Sequence, residues 1–113
     1  MIAQIAYFDG PRSPEIIAAS DRAGRERIMP AVSADPEIRA GHRGTFVLRQ
    51  PDGAQLVLIL ADSAATLDRG DAVITATPLL PGEDPALLTG PDRFERYEVV
   101  AAYDADYRDL VPA

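Results

Sequence analysis

Residues 45–61 carry two runs of strand-type residues around a tight turn, and this hairpin constrains the fold more than any other feature of the chain. The first run is Thr45-Phe46-Val47-Leu48-Arg49-Gln50. Pro51-Asp52-Gly53 then suits a type I turn in which Gly53 supplies the left-handed residue. The second run, Ala54 to Ala61, is apolar at every position from Leu56 onward. Successive strand side chains point to opposite faces, so Leu56, Leu58 and Leu60 line one face and Val57, Ile59 and Ala61 the other. A strand that is apolar on both faces needs a cover on both.

The flanking segments supply one cover. A strand is expected at about Ile2 to Phe8, followed by the turn cluster Asp9-Gly10-Pro11-Arg12. Ser13 suits an N-cap, Pro14 the first helical position, and Glu15 adds favourable charge to the first turn. Ile17, Ser20, Gly24 and Ile28 then recur at helical spacing. Asp21, Arg22, Arg25 and Glu26 form the opposite face, where Asp21 and Arg25 stand at i,i+4. Pro30 is expected to kink or end this helix, and 33–42 reads as a connector with one helical turn after Asp35. A second helix, about Ala64 to Ala76, starts from Asp62-Ser63 as its cap and anchors through Leu67, Val73 and Ile74. Thr77 to Asp92 is rich in proline and glycine, and loops of this length are often functional or lid-like. A last strand is expected from about Arg93 to Tyr103, with Tyr97 and Tyr103 on one side and Val100 on the other.

The order is thus β-α-β-β-α-β, and the expected class is α+β: a ferredoxin-like sandwich with a four-stranded antiparallel sheet. The domain spans 1–103 and an acidic tail follows at 104–113. Two short helices cover one face of such a sheet. The simplest cover for the other is a second copy of the chain in a two-fold dimer.

Composition narrows the function classes. The formal charge of −7 disfavours binding to a phosphate backbone, so no nucleic-acid partner is expected. The longest apolar run, Leu56 to Ala61, is far too short for a membrane span, and no leader is expected at the N-terminus. Cytoplasmic residence follows as the default. Without cysteine there is no disulfide framework and no thiolate ligand or nucleophile. No glycine-rich phosphate loop opens a helix, since Gly41-His42-Arg43-Gly44 precedes a strand.

A few residues are candidates for chemistry. His42 is the single histidine; it suits a proton carrier or a metal ligand, but its neighbours are not spaced as ligands, and the plainer reading is a turn residue at the rim of the sheet. Tyr7, Tyr97 and Tyr103 sit at strand positions that can share one face, where a phenol either orients a ligand or packs in an interface. Arg49 ends the second strand on the face of Thr45 and Val47; it suits a substrate anion or a cross-strand ion pair. Arg27 on the first helix suits a substrate anion or, by default, a solvated helix face. Asp62-Ser63 needs no role beyond the helix cap. Asp104, Asp106 and Asp109 make a solvated acidic end whose spacing matches no cation loop.

The pattern Arg27-Ile28-Met29-Pro30, Gly41-His42-Arg43-Gly44, Phe46-Val47-Leu48-Arg49 and Pro51-Asp52-Gly53 resembles the dimeric α+β barrel superfamily. Leu58-Ile59-Leu60-Ala61-Asp62-Ser63 and Phe94-Glu95-Arg96-Tyr97-Glu98-Val99 extend the resemblance from Ile2 to Tyr103. It implies a sheet that joins a partner sheet into a barrel, and a small pocket between sheet and helices. The superfamily includes cofactor-independent antibiotic-biosynthesis monooxygenases, haem-degrading oxygenases and stress-responsive proteins. The haem-degrading branch relies on an Asn, a Trp and a helix-borne His, and this chain has neither Asn nor Trp. The expectation is therefore a homodimer that binds a small apolar or aromatic molecule without a redox cofactor. The alternative is a cofactor-independent monooxygenase or isomerase of an enolisable aromatic or lactone-like substrate, with His42, Arg49 and Tyr7 as catalytic candidates and Tyr97, Tyr103 and Arg27 around the pocket.

Overall fold

A computed structural model describes residues 1–111, so the last two positions of the tail lie outside the described residues. Four strands form one antiparallel sheet: β1 Ile2–Phe8, β2 His42–Arg49, β3 Gln55–Ala61 and β4 Arg93–Glu98. Their order across the sheet is β2-β3-β1-β4, with β1 and β3 central, an α+β arrangement compatible with a ferredoxin-like sandwich. The register pairs Ile5 with Leu58 and Glu95, and Phe46 with Leu58. Paired residues share a face, so Leu56, Leu58, Leu60, Phe46, Tyr7 and Tyr97 all lie on one side. Gln4, Ala6, Val57, Ile59, Ala61 and Phe94 lie on the other, beneath the helices.

The hairpin turn forms as its residues dictate. Gln50 donates to Ala54 O, and Gly53 adopts φ +92°. A Cβ there would sit 2.7 Å from Arg12 O, so side-chain-free backbone is required twice over, by conformation and by space.

The helical layer begins at Ser13, whose hydroxyl accepts from Ile16 N at the start of α1, Pro14–Arg22. The helix does not stop at Pro30. It passes through a π-helical segment, Ala23–Ile28, into α2, Met29–Ser33, which seats Pro30 in its first turn. Proline lacks an amide and crowds the carbonyl four residues back; both are tolerated at a helix start, and the wider π turn just before it supplies one. The connector holds a full helix, α3 Pro36–Gly41, capped by Asp35, which accepts from Glu37 N and Ile38 N. The expected Asp21–Arg25 pair is replaced by Arg22–Glu26 at i,i+4, while Asp21 turns to Arg49.

Ser63 caps α4, Ala64–Ala76, by accepting from Thr66 N. Asp62 takes no part in that cap and pairs with Arg43. The 77–92 loop contains one short 3₁₀ turn, Pro85–Leu87. β4 ends at Glu98, earlier than its sequence pattern suggests, because it pairs along β1 and β1 begins at Ile2 opposite Glu98. The tail folds on itself through a bridge between Tyr103 and Asp109, leaving Tyr103, Tyr107 and Leu110 exposed. The radius of gyration, 15.0 Å, exceeds the ~13 Å of a compact chain of about this length. No described helix is long and apolar enough to cross a membrane.

Candidate functional site

The interior between sheet and helices is lined by small residues. Ala6, Ala23, Ile38, Ala61 and Leu67 are the buried apolar residues on this side, Ala3 being buried on the opposite face, and among the described residues no large side chain is fully enclosed. Where helices stand on alanine and glycine, side chains do not fill the gap. A cavity of about 570 Å³ results. The sheet contributes Ala6, Phe8, Val57, Ile59 and Phe94 to its wall; the helices contribute Ala23, Ile28, Val32, Leu67, Gly70 and Ile74. A Cβ built on Gly70 meets nothing within 4 Å, which marks open space on the α4 side. The volume lies in the range of small-molecule sites.

The 77–92 loop closes one side, where Leu87, Leu88 and Pro91 face the cavity. Two arginines of the first helical stretch hold it there. Arg22 Nη2 donates to Pro81 O at 3.0 Å, and Arg27 Nε donates to Glu83 Oε1 at 2.8 Å. Glu83 also accepts from Leu80 N at 2.7 Å. That backbone bond first, and then Arg27, hold the Glu83 carboxyl below its ordinary pKa.

Most polar groups in the wall are satisfied within the protein. His42 Nε2 and Thr45 Oγ1 share a hydrogen bond of 2.7 Å. Gln4, 3% exposed, accepts from Arg96 Nε at 2.8 Å and donates to Asp71 Oδ1 at 3.3 Å. Arg96 in turn pairs with Asp68 and Asp71. The exception is Arg12, in the β1–α1 connection, which also lines the cavity and has no carboxylate within ion-pair distance among the described residues.

The sequence-derived candidates divide between the two faces of the sheet. His42 and Arg27 are in the cavity wall. Arg49 is not; it donates to Asp21 Oδ1 at 2.5 Å and to Gln55 Oε1 at 2.6 Å, a cross-strand and sheet-to-helix tie. Tyr7 and Tyr97 lie on the opposite face, where both hydroxyls donate to Glu95 Oε2 and the Arg93 guanidinium stacks 3.9 Å from the centre of the Tyr7 ring. Tyr97's bond, followed by Tyr7's, lowers the Glu95 pKa, and the same carboxylate raises that of Tyr97. Tyr97 also borders a shallow open depression with Met1, Ile2 and Glu98. Tyr103 belongs to the tail. No group of three or more metal-ligating side chains is assembled among the described residues.

Arg12, Gln4 and Gly70 were not singled out by sequence. The alternation of β1 puts Gln4 on the same face as Ala6 and Phe8, which is a usable signal for a polar residue facing the helices. Arg12 sits in a turn with no motif around it, and its place depends on the hairpin that docks beside it. No protein-family model matches this chain, and no curated protein is significantly similar to it.

Proposed function

We propose that the protein binds a small apolar or aromatic molecule in the cavity between sheet and helices, without a redox cofactor. The observation that carries this reading is the 570 Å³ space bounded by Val57, Ile59, Ala23, Ile74 and Leu88, whose wall is mostly apolar. Sites for small molecules combine such an apolar surface with a small number of placed polar groups. A thermal-shift screen with apolar and aromatic compounds tests it. Ligands that raise Tm, with no product formed when they are mixed with protein and oxygen, are the expected result.

The working unit in this reading is a homodimer of the barrel type that the sequence resembles. Support comes from the uncovered sheet face. Phe46 and Leu48 there are 54% and 52% exposed, beside Leu56, Leu58 and Leu60. A contiguous apolar surface of that kind is a mark of an interface. Two copies related by a two-fold axis place the same patch on both sides.

A second reading, a cofactor-independent monooxygenase or isomerase of an enolisable substrate, rests on one observation: the His42 ring lies in the cavity wall. There it is positioned to move a proton to or from a bound molecule. Against it, Arg49 is neutralised by Asp21 and the tyrosines face away from the cavity. Oxygen uptake that depends on substrate and is lost in His42→Ala would favour this second reading.

A further inference from the structure

Eight of the eleven arginines have a carboxylate partner. Of the three that have none among the described residues, Arg25 and Arg39 are exposed to water, which screens them at little cost. Arg12 is different. It is partly buried, and its Nε is closed off from solvent and has no hydrogen-bond partner. The one hydrogen bond of its guanidinium is a long one, Nη1 to Gly53 O at 3.5 Å. Its carbon Cζ lies 5.1 Å from the centre of the Phe8 ring, a cation–π contact that compensates only part of the desolvation. Burial, and then the charge of Arg49, lower the Arg12 pKa, and the charges of Asp21 and Asp92, neither of them in ion-pair contact with Arg12, oppose this only in part.

The backbone around Arg12 is fixed. Arg12 N donates to Asp52 O at 2.9 Å, which ties the β1–α1 connection to the hairpin turn. The other ionic groups in the cavity wall are already answered: Arg27 by Glu83, and Asp71 by Arg96. Arg12 is thus a held positive charge with no ion-pair partner among the described residues, at one end of a mostly apolar cavity. At the other end stands the His42–Thr45 pair, since His42 registers with Ala61 while Arg12 adjoins Phe8, which registers with Gln55. Between them Val57, Ile59 and Ala61 line the floor, a run of about 13 Å at the rise of a β-strand.

We infer that the cavity takes an elongated apolar anion, a fatty or aryl carboxylate, whose head accepts hydrogen bonds from the Arg12 guanidinium. This rests on the small-molecule reading above and specifies its ligand class. A planar guanidinium offers paired donors that match a carboxylate, and a charge-assisted bond formed away from water is stronger than one at the surface. The apolar body of the ligand would lie along Val57 and Ile59, and its far end would reach His42.

Calorimetric titration with octanoate and octanol, and with naphthoate and naphthamide, tests the inference. Each pair differs in the charge of its head and little in its body. In the wild type the carboxylates should bind about ten- to a hundredfold more tightly than their uncharged partners. Arg12→Gln should remove that difference and leave the weak binding of octanol and naphthamide in place. Equal binding of charged and uncharged partners by the wild type would overturn the carboxylate inference and keep the cavity reading. A preference for carboxylates that survives in Arg12→Gln would assign the charge elsewhere and overturn the role of Arg12. Failure of all four compounds to bind would overturn both. The wild-type comparison decides the ligand's charge class even if Arg12→Gln does not fold.

Discussion

Arg27 Nε donates to Glu83 Oε1 at 2.8 Å, and the two side chains are only 10% and 2% exposed. This ion pair joins the π-helical segment to the middle of the 77–92 loop. The loop has no strand and a single 3₁₀ turn, so few of its backbone groups are held by regular structure. The pair, with Leu80 N and the Arg22–Pro81 bond, is what seats Leu87 and Leu88 against the cavity.

Glu83→Gln should therefore loosen that loop more than the sheet. Removing one charge of an enclosed pair leaves the other without a partner. Hydrogen exchange should show faster amide exchange across 79–91 and unchanged protection in β1 and β3. Uniform loss of protection across the whole chain would contradict a local clasp.

Acid should destabilise the protein. The Glu83 and Asp35 carboxyls are held below their ordinary values, Asp35 mainly by Arg69 and then by Ile38 N. A carboxyl with a lowered folded pKa contributes stability that is fully present above the unfolded value, near 4. That contribution is lost as pH falls through the lower folded values. Urea midpoints should be flat from neutrality to about pH 5 and should fall below about pH 4. Asp35→Asn, which keeps a capping oxygen for α3, should make the fall shallower. A midpoint that rises on acidification would contradict the assignment.

Gly70 stands within α4 with open space where its side chain would be. Gly70→Ala should stabilise the fold by about 0.5–1 kcal/mol, because alanine gives up less backbone freedom in a helix. Chemical denaturation measures the change. A loss of stability would mean that the space on the α4 side is closed in solution.

Phe46→Glu should disrupt self-association and spare the fold. Phe46 is more than half exposed in the protomer, so a charge there costs little until a second sheet covers it. Light scattering should give a dimer for the wild type and a monomer with native circular dichroism for the variant. A monomeric wild type at micromolar concentration would remove the two-fold barrel from the account.

Much of the fold was legible because its signals are local. Ser63 and Ser13 cap the helices they precede, and Gly53 turns the hairpin. The alternation of β3 assigned Val57 and Leu58 to opposite faces, one over the cavity and one uncovered. The departures come from tertiary context. Proline at position 30 is compatible with a helix once a π turn precedes it, and composition does not encode that turn. The last strand stops where its neighbour starts, whatever the β-propensity of Val99 and Val100. The site was legible only in part. His42 and Arg27 reach the cavity, but Tyr7 faces away because its partner in register is Leu56. Arg12 carries no local signal, because its lack of a carboxylate partner depends on where the fold places the other arginines and acids.

The cavity is the proposed binding site, and filling it is the most direct test. Gly70→Leu places a branched side chain into the open space beside Ile74 and Leu67, away from Arg12 and the hairpin turn. Naphthoate should be titrated into wild type and Gly70→Leu, with folding of both checked by thermal unfolding. A binding cavity should give saturable binding to the wild type and its loss, by at least about tenfold, in a variant that remains folded. Equal binding by both proteins, or no binding by the wild type, would contradict it.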